Sequence, residues 1–467
     1  MSAITDLDLA ELSAAVATKQ LSPVEITRAF LQRIEALNPR LNAFITVAAE
    51  QALDQARAQE AEMQAGRLRG PLQGLPIGHK DLYATKDLPT TGGSRILEGQ
   101  VPEQNATVVE RLLEAGMITL GKLNTHEFAY GPTGVHSAAG PSRNPWDLER
   151  ITAGSSGGSG GAVAAGLVPV ASGSDTGGSI RMPAACCGVT GLKPTYGRVS
   201  RAGILPLCWT MDHAGPLACS ARDAALILQA TAGHDPRDAA SAVKPVPDYL
   251  AALTGSLAGL KIGVPRRYFF DQAQEAVVRR VEEALAVLAD QGAQLVEVEI
   301  PYIEHAQLAA LPIYLAEATA FHEDWLGDKA DLYTDQVRSF LELGEHLLAK
   351  DYLHAQRYRT LLGQSMAAVF TEVDLLATPG LAITATPLAE EMVSIRGQEV
   401  PVFGALLRNT EPFDQTGLPA LVVPCGFAEG LPVSLQLAGR AFDEETVLRA
   451  GDAYQRVTDW HQQRPKL

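Results

Sequence analysis

Two segments rich in glycine and serine flank one short apolar run in the first half of the sequence. ITAGSSGGSGGAVAAG covers residues 151–166, and SGSDTGGS covers residues 172–179. Such composition alone is typical of a flexible linker. The run between them, LVPVA at residues 167–171, predicts a buried strand, and a linker is not normally followed by a buried strand and a second glycine loop. The pattern therefore favours two tightly packed loops within one folded core.

Helices and strands alternate on both sides of these loops. TVVERLLEAGMITL predicts an amphipathic helix that ends at Gly116, followed by an apolar strand from Met117. EAVVRRVEEALAVLADQGAQLVEVEI repeats the pattern, with Gly292 at the end of the helix and a strand that runs to Ile300. This alternation predicts an α/β fold with a large mixed, mostly parallel twisted central sheet, covered by helices on both faces.

No internal repeat and no clear linker divides the sequence, so we predict a single domain over residues 1–467. Helical patterns indicate N-terminal helices at residues 7–37. The core that holds the glycine loops is expected at residues 60–230. Residues 305–370 are helix-rich and more polar, and we predict that they form an insertion or cap over the sheet.

The charge balance excludes several classes of partner. The chain has 38 Lys and Arg against 54 Asp and Glu, a net charge of −16, and no run of basic residues. We therefore expect no nucleic-acid partner and no membrane partner. No apolar run approaches the ~20 residues that span a bilayer, and acidic residues stand where a secretory leader is basic, so we expect a cytoplasmic protein. The five cysteines lack metal-ligand spacing and are predicted to be small buried side chains rather than disulfides.

Two common functions of glycine loops fit this sequence poorly. A phosphate-binding loop would contain GxxxxGK[ST], which is absent. The G-x-S-x-G pattern of a hydrolase nucleophile elbow matches twice, at Ser156 and at Ser159. An elbow also needs a strand directly before it, and SRNPWDLERITAG predicts a turn. Neither function is therefore favoured.

The second loop suits the chemistry of acyl transfer. Ser179 follows two glycines, so the backbone N–H groups from Thr176 to Ser179 can converge on one point, as a tetrahedral oxyanion requires. A serine nucleophile also needs a proton acceptor, and a lysine kept neutral by burial can serve. Lys80, at the end of the apolar segment LQGLPIGHK, is the candidate base.

These residues lie in motifs that resemble the amidase signature family. The motifs are GLPIGHKDL around Lys80, AGSSGGSGGAVAAG around Ser155 and GSDTGGSIRMPAACCGVTGLKPTYGR around Ser179. The separation of Ser155 from Ser179, 24 residues, equals the spacing of the two catalytic serines in that family. The similarity extends to RNPWD and GLPALVVPCGF and covers the chain from about residue 20 to residue 460.

The resemblance implies a Ser–cis-Ser–Lys triad that uses no histidine, metal or organic cofactor. In this triad Ser179 is the nucleophile that forms the acyl-enzyme, and Ser155, which follows a cis peptide bond, bridges to the base. Lys80 is the general base, so its pKa must lie well below the usual value of about 10.4. The resemblance also assigns an oxyanion hole to four consecutive residues, Thr176, Gly177, Gly178 and Ser179.

Several neighbouring residues are expected to have structural roles. The hydroxyls of Ser156 and Ser159 are predicted to bond the backbone of the loops. Asp175 and Arg181 flank the nucleophile, and we expect them to form a pair that holds its loop. Three histidines are predicted to be scaffold residues: His79, His126 and His213.

The resemblance also suggests where the substrate lies. By family position, NTHEFAYGPTG places Ala129 and Tyr130 near the acyl pocket. Four apolar residues of the helix-rich segment are candidates for a lid: Ile313, Tyr314, Phe321 and Trp325. Because family members hydrolyse amides and some esters, we predict a free-standing hydrolase of carbon–nitrogen bonds in small or aryl amides. A homodimer is left open.

Two alternatives use the same triad. One is a carbamate (urethane) hydrolase, since carbamates present the same carbonyl geometry. The other is the amidase subunit of a tRNA-dependent amidotransferase, which NPWD and LKPTYGRVSRAG resemble closely. That branch holds glutamine with an aspartate, and aligning its NLAGLP with DQTGLP places Leu407 at this position. A scaffold protein without catalysis is disfavoured because all three triad positions are intact.

Overall fold

The computed structural model describes residues 4–467, which contain fifteen strands and fifteen α-helices. The strands are Phe44–Val47 (β1), Pro76–Lys80 (β2), Ile118–Leu123 (β3), Arg143–Asn144 (β4), Asp147–Ile151 (β5), Val170–Asp175 (β6), Thr190–Lys193 (β7), His213–Ala218 (β8), Lys261–Val264 (β9), Gln294–Glu297 (β10), Leu375–Pro379 (β11), Met392–Ile395 (β12), Gln398–Pro401 (β13), Ala420–Ala428 (β14) and Leu431–Gly439 (β15).

The helices are Leu9–Ala17 (α1), Pro23–Leu41 (α2), Ala49–Gln64 (α3), Thr107–Glu114 (α4), Gly157–Ala164 (α5), Arg181–Cys187 (α6), Ala221–Thr231 (α7), Arg266–Phe269 (α8), Glu275–Asp290 (α9), Ala306–Lys329 (α10), Asp335–Gly344 (α11), Ala349–Val369 (α12), Val402–Leu407 (α13), Glu411–Gln415 (α14) and Glu444–Arg456 (α15). None of the helices in residues 4–467 combines the length and the apolar character that a membrane crossing requires.

Eleven strands form one mixed sheet in the order β1-β3-β2-β6-β8-β7-β14-β15-β11-β9-β10. Four neighbouring pairs are parallel, namely β2–β3, β2–β6, β9–β11 and β9–β10, and the other six are antiparallel. The predicted large mixed sheet is confirmed, but the expectation that it is mostly parallel is wrong. The antiparallel pairs arise where β14 and β15 form a hairpin and where β8 lies between β6 and β7, antiparallel to both.

Both faces of the central strands are covered. Every residue of β2, β3, β6 and β15 is buried, although successive side chains of a strand point to opposite faces. Helices α5 and α6 pack against strands of the sheet, and so do α7, α9 and α15. This continuous burial places the last residue of β2, Lys80, deep inside the protein.

The N-terminal helices predicted at residues 7–37 are α1 and α2, and α2 begins with a capping box. At the start of α2, the Ser22 hydroxyl accepts the Glu25 N–H at 3.1 Å, and a Glu25 carboxylate oxygen accepts the Ser22 N–H at 2.9 Å. The strand predicted to reach Ile300 ends earlier, because β10 pairs only with β9 and its last residue, Glu297, lies opposite the last residue of β9.

The largest boundary error falls at the second glycine loop. Strand β6 begins three residues later than the predicted run 167–171 and includes residues that composition assigns to the loop. These residues pair with β8, from Ser172 opposite Pro216 to Asp175 opposite His213. Pairing with a neighbouring strand therefore overrides the low strand propensity of glycine and serine.

The helix-rich segment predicted at residues 305–370 contains α10, α11 and α12. Both α11 and α12 pack against α10. Its role as a cap, like the single domain over residues 1–467, stays a prediction. All five cysteines are buried and free, which confirms that interpretation.

Candidate active site

Lys80 is completely buried at the end of β2. Its Nζ donates hydrogen bonds to the Ser155 hydroxyl at 2.7 Å and to the Ser174 hydroxyl at 2.8 Å. Burial lowers the pKa of Lys80 to about 7, although the carboxyl groups of Asp175 and Asp212 act to raise it. A lysine with this pKa is partly neutral near pH 7 and can accept a proton.

Ser155 lies in the first glycine loop, just before α5. The peptide bond between Gly154 and Ser155 is cis, as the resemblance implies. The Ser155 carbonyl accepts the His126 N–H at 3.0 Å. A Cβ added to Gly158 would lie 2.5 Å from the backbone nitrogen of Asn124, so only glycine permits this approach of α5 to the backbone beside β3. The segment is therefore closely packed, as predicted, but its second half forms α5 rather than a loop.

The other two serines of the first loop bond to backbone, as expected. The Ser156 hydroxyl donates to the Ser174 carbonyl at 3.2 Å, and the Ser159 hydroxyl donates to the Ser172 carbonyl at 2.9 Å. The segment before the loop, predicted as a turn, is instead the hairpin of β4 and β5. Both hydroxyls are completely buried and engaged, so neither is placed as a nucleophile.

Ser179 lies between β6 and α6, beside the first loop. The Ser156 N–H donates to the Ser179 carbonyl at 3.2 Å and so holds the two loops together. Among the described residues, none accepts a hydrogen bond from the N–H of Gly177, Gly178 or Ser179. Gly178 has a φ of +135°, which side chains rarely tolerate. The N–H groups assigned to the oxyanion hole thus have no competing partner.

The carbonyl and hydroxyl groups of this loop form hydrogen bonds with residues of other segments. The Thr176 hydroxyl donates to Asp212 at 2.7 Å, and the Thr176 carbonyl accepts from the Tyr314 hydroxyl at 3.3 Å. The Gly177 carbonyl accepts from the Thr410 hydroxyl at 2.5 Å. These contacts fix the orientation of the peptide groups that present the free N–H groups.

Asp175 and Arg181 form the predicted pair, with 2.9 Å between Oδ1 and Nη2, and both are completely buried. Burial acts to raise the pKa of Asp175, but the Arg181 guanidinium outweighs it and holds that pKa well below its usual range. Arg181 also binds Asp414, the Thr410 carbonyl and Gln436. The pair therefore ties the nucleophile loop to the C-terminal part of the sheet.

A cavity of about 390 Å³ opens in front of Ser179. The structure brings Ala129 and Tyr130 into its wall together with Thr176 and Gly177. The remaining wall is mostly apolar and comes from several separate segments, including Met182, Leu207, Leu308, Leu311, Tyr314, Phe340, Phe403 and Leu407. The residues assigned to the acyl pocket by resemblance thus adjoin the predicted nucleophile.

The lid prediction is correct for one residue in four. Tyr314 lines the cavity, whereas Ile313 is buried in the core. Trp325 stacks on Phe128 with 5.6 Å between ring centroids, and Phe321 packs against Trp325. Apolar character alone did not distinguish the face of α10 that meets the cavity from the face that meets the core.

The three histidines are buried, and burial lowers the pKa of each. His126 accepts the Gly134 N–H at 3.2 Å, and His213 contacts the Asp175 carbonyl at 3.1 Å. None of them lines the cavity. Within residues 4–467, no group of three or more His, Cys, Asp or Glu side chains is placed to hold a metal ion.

Three groups at the site were missed in the sequence. Ser174 was assigned to a loop, but the strand alternation that carries Ser172 and Ser174 on one face could have found it. Asp212 and Thr410 approach the nucleophile loop from distant segments, and no local pattern marks either of them.

Comparison with known proteins agrees with this geometry. A family model described as Amidase matches residues 25–448. The chain belongs to the amidase signature family. One subunit of the glutamyl-tRNA(Gln) amidotransferase of Chloroflexus aggregans is 47% identical, over 99% of this chain and 99% of its own. The chain therefore falls in the general amidase class, whose members hydrolyse carbon–nitrogen bonds.

Two solved structures are similar over nearly the whole chain. One belongs to a vestigial protein complex described as revealing the evolutionary origins of an s-triazine catabolic enzyme. Its TM-score is 0.94 at 34% identity, covering 99% of this chain and 100% of that one. The other is a bacterial aryl acylamidase of the amidase signature family, with a TM-score of 0.90 at 29% identity and coverage of 99% and 98%. The amidase signature fold is thus shared along the full length.

Proposed function

We propose that this family member hydrolyses amides that carry an apolar acyl group, including small and aryl amides, through an acyl-enzyme on Ser179. One observation carries the proposal: the cavity beside Ser179 is walled by apolar side chains such as Phe340, Phe403 and Leu407. Burial of an apolar acyl group there is favourable because it removes apolar surface from water. The similarity to an aryl acylamidase supports the same substrate class.

In the proposed reaction, the Ser179 oxygen attacks the amide carbonyl and its proton passes through the Ser155 hydroxyl to neutral Lys80. The negative charge that develops on the carbonyl oxygen is held by the N–H groups of the predicted oxyanion hole, Thr176, Gly177, Gly178 and Ser179. The proton then returns from Lys80 through Ser155 to the departing amine. Water then attacks the acyl-enzyme, and its proton passes through Ser155 to Lys80. A proton returns by the same path to the Ser179 oxygen, which releases the carboxylic acid and restores Ser179.

A second candidate is the amidase subunit of a tRNA-dependent amidotransferase. The name of the relative that is 47% identical over the whole chain favours this candidate over the first. The lining of the cavity disfavours it, because the carboxylate group of glutamine finds no cationic partner among the described residues there. Leu407 stands where the resemblance places the glutamine-binding aspartate, and no Lys or Arg is among the described residues that line the cavity.

One substrate panel separates these functions. The purified chain, without added subunits, is assayed with an aryl amide, a primary amide, an activated ester, an aryl carbamate and glutamine, and Ser179→Ala serves as the blank. We expect kcat/KM for the aryl amide to exceed that for glutamine by about 100-fold, since several apolar contacts distinguish them. Preferential hydrolysis of glutamine would overturn the proposal. The carbamate tests the urethane hydrolase that the sequence leaves open.

A further inference from the structure

One acidic side chain lies in the wall of the mostly apolar cavity. Glu411 is the first residue of α14, is 2% exposed, and is the sole carboxyl group among the described lining residues. Its Oε2 atom is buried and has no hydrogen-bond partner. Buried polar atoms are nearly always hydrogen-bonded, so an unpartnered oxygen in the wall of a cavity is a candidate to bind a ligand there.

A second buried glutamate, away from the cavity, has hydrogen-bond partners within the protein for both of its carboxylate oxygens. Glu317 of α10 is also 2% exposed. Its Oε1 accepts from the hydroxyls of Thr210 and Tyr352 at 2.6 and 2.9 Å, and its Oε2 accepts from the Thr210 N–H at 3.0 Å. Glu317 does not line the cavity, whereas Glu411 does. Glu411 thus combines a buried, unpartnered carboxylate oxygen with a place in the cavity wall, whereas Glu317 has neither feature.

The surroundings of Glu411 favour its neutral form. Burial raises the pKa of Glu411 to about 8, while a hydrogen bond with Tyr314 acts to lower it. No Lys or Arg is among the described residues of the cavity wall to balance a negative charge. A neutral carboxyl group can both accept and donate a hydrogen bond, so it matches an uncharged polar group better than an ion.

Glu411 also lies beside the oxyanion loop. The adjacent Thr410 hydroxyl donates to the Gly177 carbonyl, and a Cβ added to Gly177 would lie 2.5 Å from the Tyr314 hydroxyl. Glu411 and Ser179 line the same cavity, in which the proposed function places the acyl portion of the substrate. The Glu411 carboxyl group has no role in the proton relay of Lys80, Ser155 and Ser179.

We propose that Glu411 is a specificity-determining residue, which binds an uncharged hydroxyl or amino group on the acyl portion of the substrate. The preferred substrate would then be an amide whose apolar acyl group carries one hydrogen-bond donor. The inference rests on the proposed function in one respect, since it takes this cavity to be the one that holds the acyl group.

The test uses matched pairs of phenylacetamides with a hydroxyl or a methyl group at the ortho, meta or para position. For at least one position, we expect the wild type to favour the hydroxyl member by about 10- to 100-fold in kcat/KM. Glu411→Met should abolish or reverse this preference, and Glu411→Gln should retain part of it. Leu308→Ala, at an exposed position of the same wall, should change both members of each pair equally.

The same pairs are then titrated into Ser179→Ala, and Kd is measured by calorimetry with and without Glu411→Met. The inference would be overturned if Glu411→Met left the ratio between the hydroxyl and methyl members unchanged, both in kcat/KM and in Kd. If the wild type hydrolyses the hydroxyl and methyl members of every pair equally well, this inference fails and the proposed function stands. If neither series is hydrolysed but the hydroxyl members still bind more tightly through Glu411, the proposed function fails and the inference stands.

Discussion

The catalytic loops and the cavity wall meet at Ser179, but they are built in opposite ways. In the loops the polar side chains are buried and paired: Lys80 contacts two hydroxyls, and Thr176 is held by Asp212. The wall consists mainly of apolar side chains from separate segments, and Leu308 and Leu311 are 74% and 43% exposed. We therefore expect the exposed part of the wall to vary without disturbing the loops, whereas Tyr314, which donates to the Thr176 carbonyl, belongs to both regions.

The largest effect is expected from removal of the nucleophile. Ser179→Ala should lower kcat for an aryl amide by about 10⁴-fold or more, because no acyl-enzyme can form. The melting temperature should stay close to that of the wild type, since only one small hydroxyl in a loop is lost. Steady-state hydrolysis and thermal unfolding of the same preparation check both statements.

Covalent labelling provides the control for this prediction. A serine-reactive fluorophosphonate should add its mass to the peptide that contains Ser179, and Ser179→Ala should not be labelled. Attachment at Ser156 or Ser159 would contradict the assignment, and it would require one of these buried hydroxyls to leave its backbone partner.

The next largest effect concerns Lys80, where charge can be separated from basicity. Lys80→Arg keeps a cation but cannot accept a proton near neutral pH, and Lys80→Ala removes both properties. We expect both variants to lose about 10²–10⁴-fold in kcat/KM for amides. Activated esters should lose less, because their leaving group needs no protonation. If Lys80→Arg kept most of its amidase activity, the lysine would act as a charge rather than as a base.

Two aspartates that share the Arg181 guanidinium are expected to respond unequally. Arg181 holds Asp175 ionised, whereas burial raises the pKa of Asp414 well above its usual value and Asp175 raises it further. Asp175→Asn leaves a buried cation undercompensated and should cost about 3–5 kcal/mol of unfolding free energy. Asp414→Asn removes a carboxyl group whose ionised form is disfavoured by burial and by Asp175, so it should cost less than Asp175→Asn.

Urea denaturation of the two aspartate variants measures this difference. Because both residues are completely buried and both contact Arg181, each variant serves as the control for the other. Equal losses would mean that both carboxyl groups are ionised in the folded protein.

A smaller effect is expected from pH. Since burial lowers the pKa of Lys80 to about 7, the base is protonated and inactive in acid. The value of kcat/KM for an aryl amide should rise about tenfold per pH unit below pH 7 and level off above it. A profile that is flat between pH 5 and 8 would contradict Lys80 as the group whose deprotonation permits the reaction.

The comparison of the two regions also shows what the sequence could predict. Lys80, Ser155 and Ser179 lie in continuous motifs, so the resemblance of these motifs to the family was sufficient to propose them as the triad. Ser174 was missed because strand pairing, rather than local composition, decides where β6 ends. The direction of the sheet strands was misjudged for the same reason, since neighbouring strands are often distant in sequence.

The wall was predicted less well, because its residues are brought together only by the folded chain. Leu308, Phe340 and Leu407 come from three different helices, and nothing local marks them as neighbours. Glu411 follows Leu407 by four residues, yet its place in the wall depends on how α13 and α14 pack. Substrate choice is therefore the part of the function that the sequence reveals least.

The smallest effect should come from a change in the wall at a residue outside the proposed proton relay. Leu407→Asp introduces a carboxyl group where the resemblance to the amidotransferase branch expects one, and it removes an apolar contact from the cavity. We expect kcat/KM for an aryl amide to fall about tenfold, the usual effect of losing one apolar contact in a pocket. Leu407→Met, which preserves volume and apolar character, should change it little.

An activated acetyl ester, whose acyl group is too small to reach the wall, should be hydrolysed at nearly the wild-type rate, since Leu407 takes no part in the relay. If Leu407→Asp also raises glutamine hydrolysis, this one position accounts for part of the separation between the two candidate functions. A comparable loss with the acetyl ester would show that the wall and the loops are coupled, and the contrast between the two regions would then be wrong.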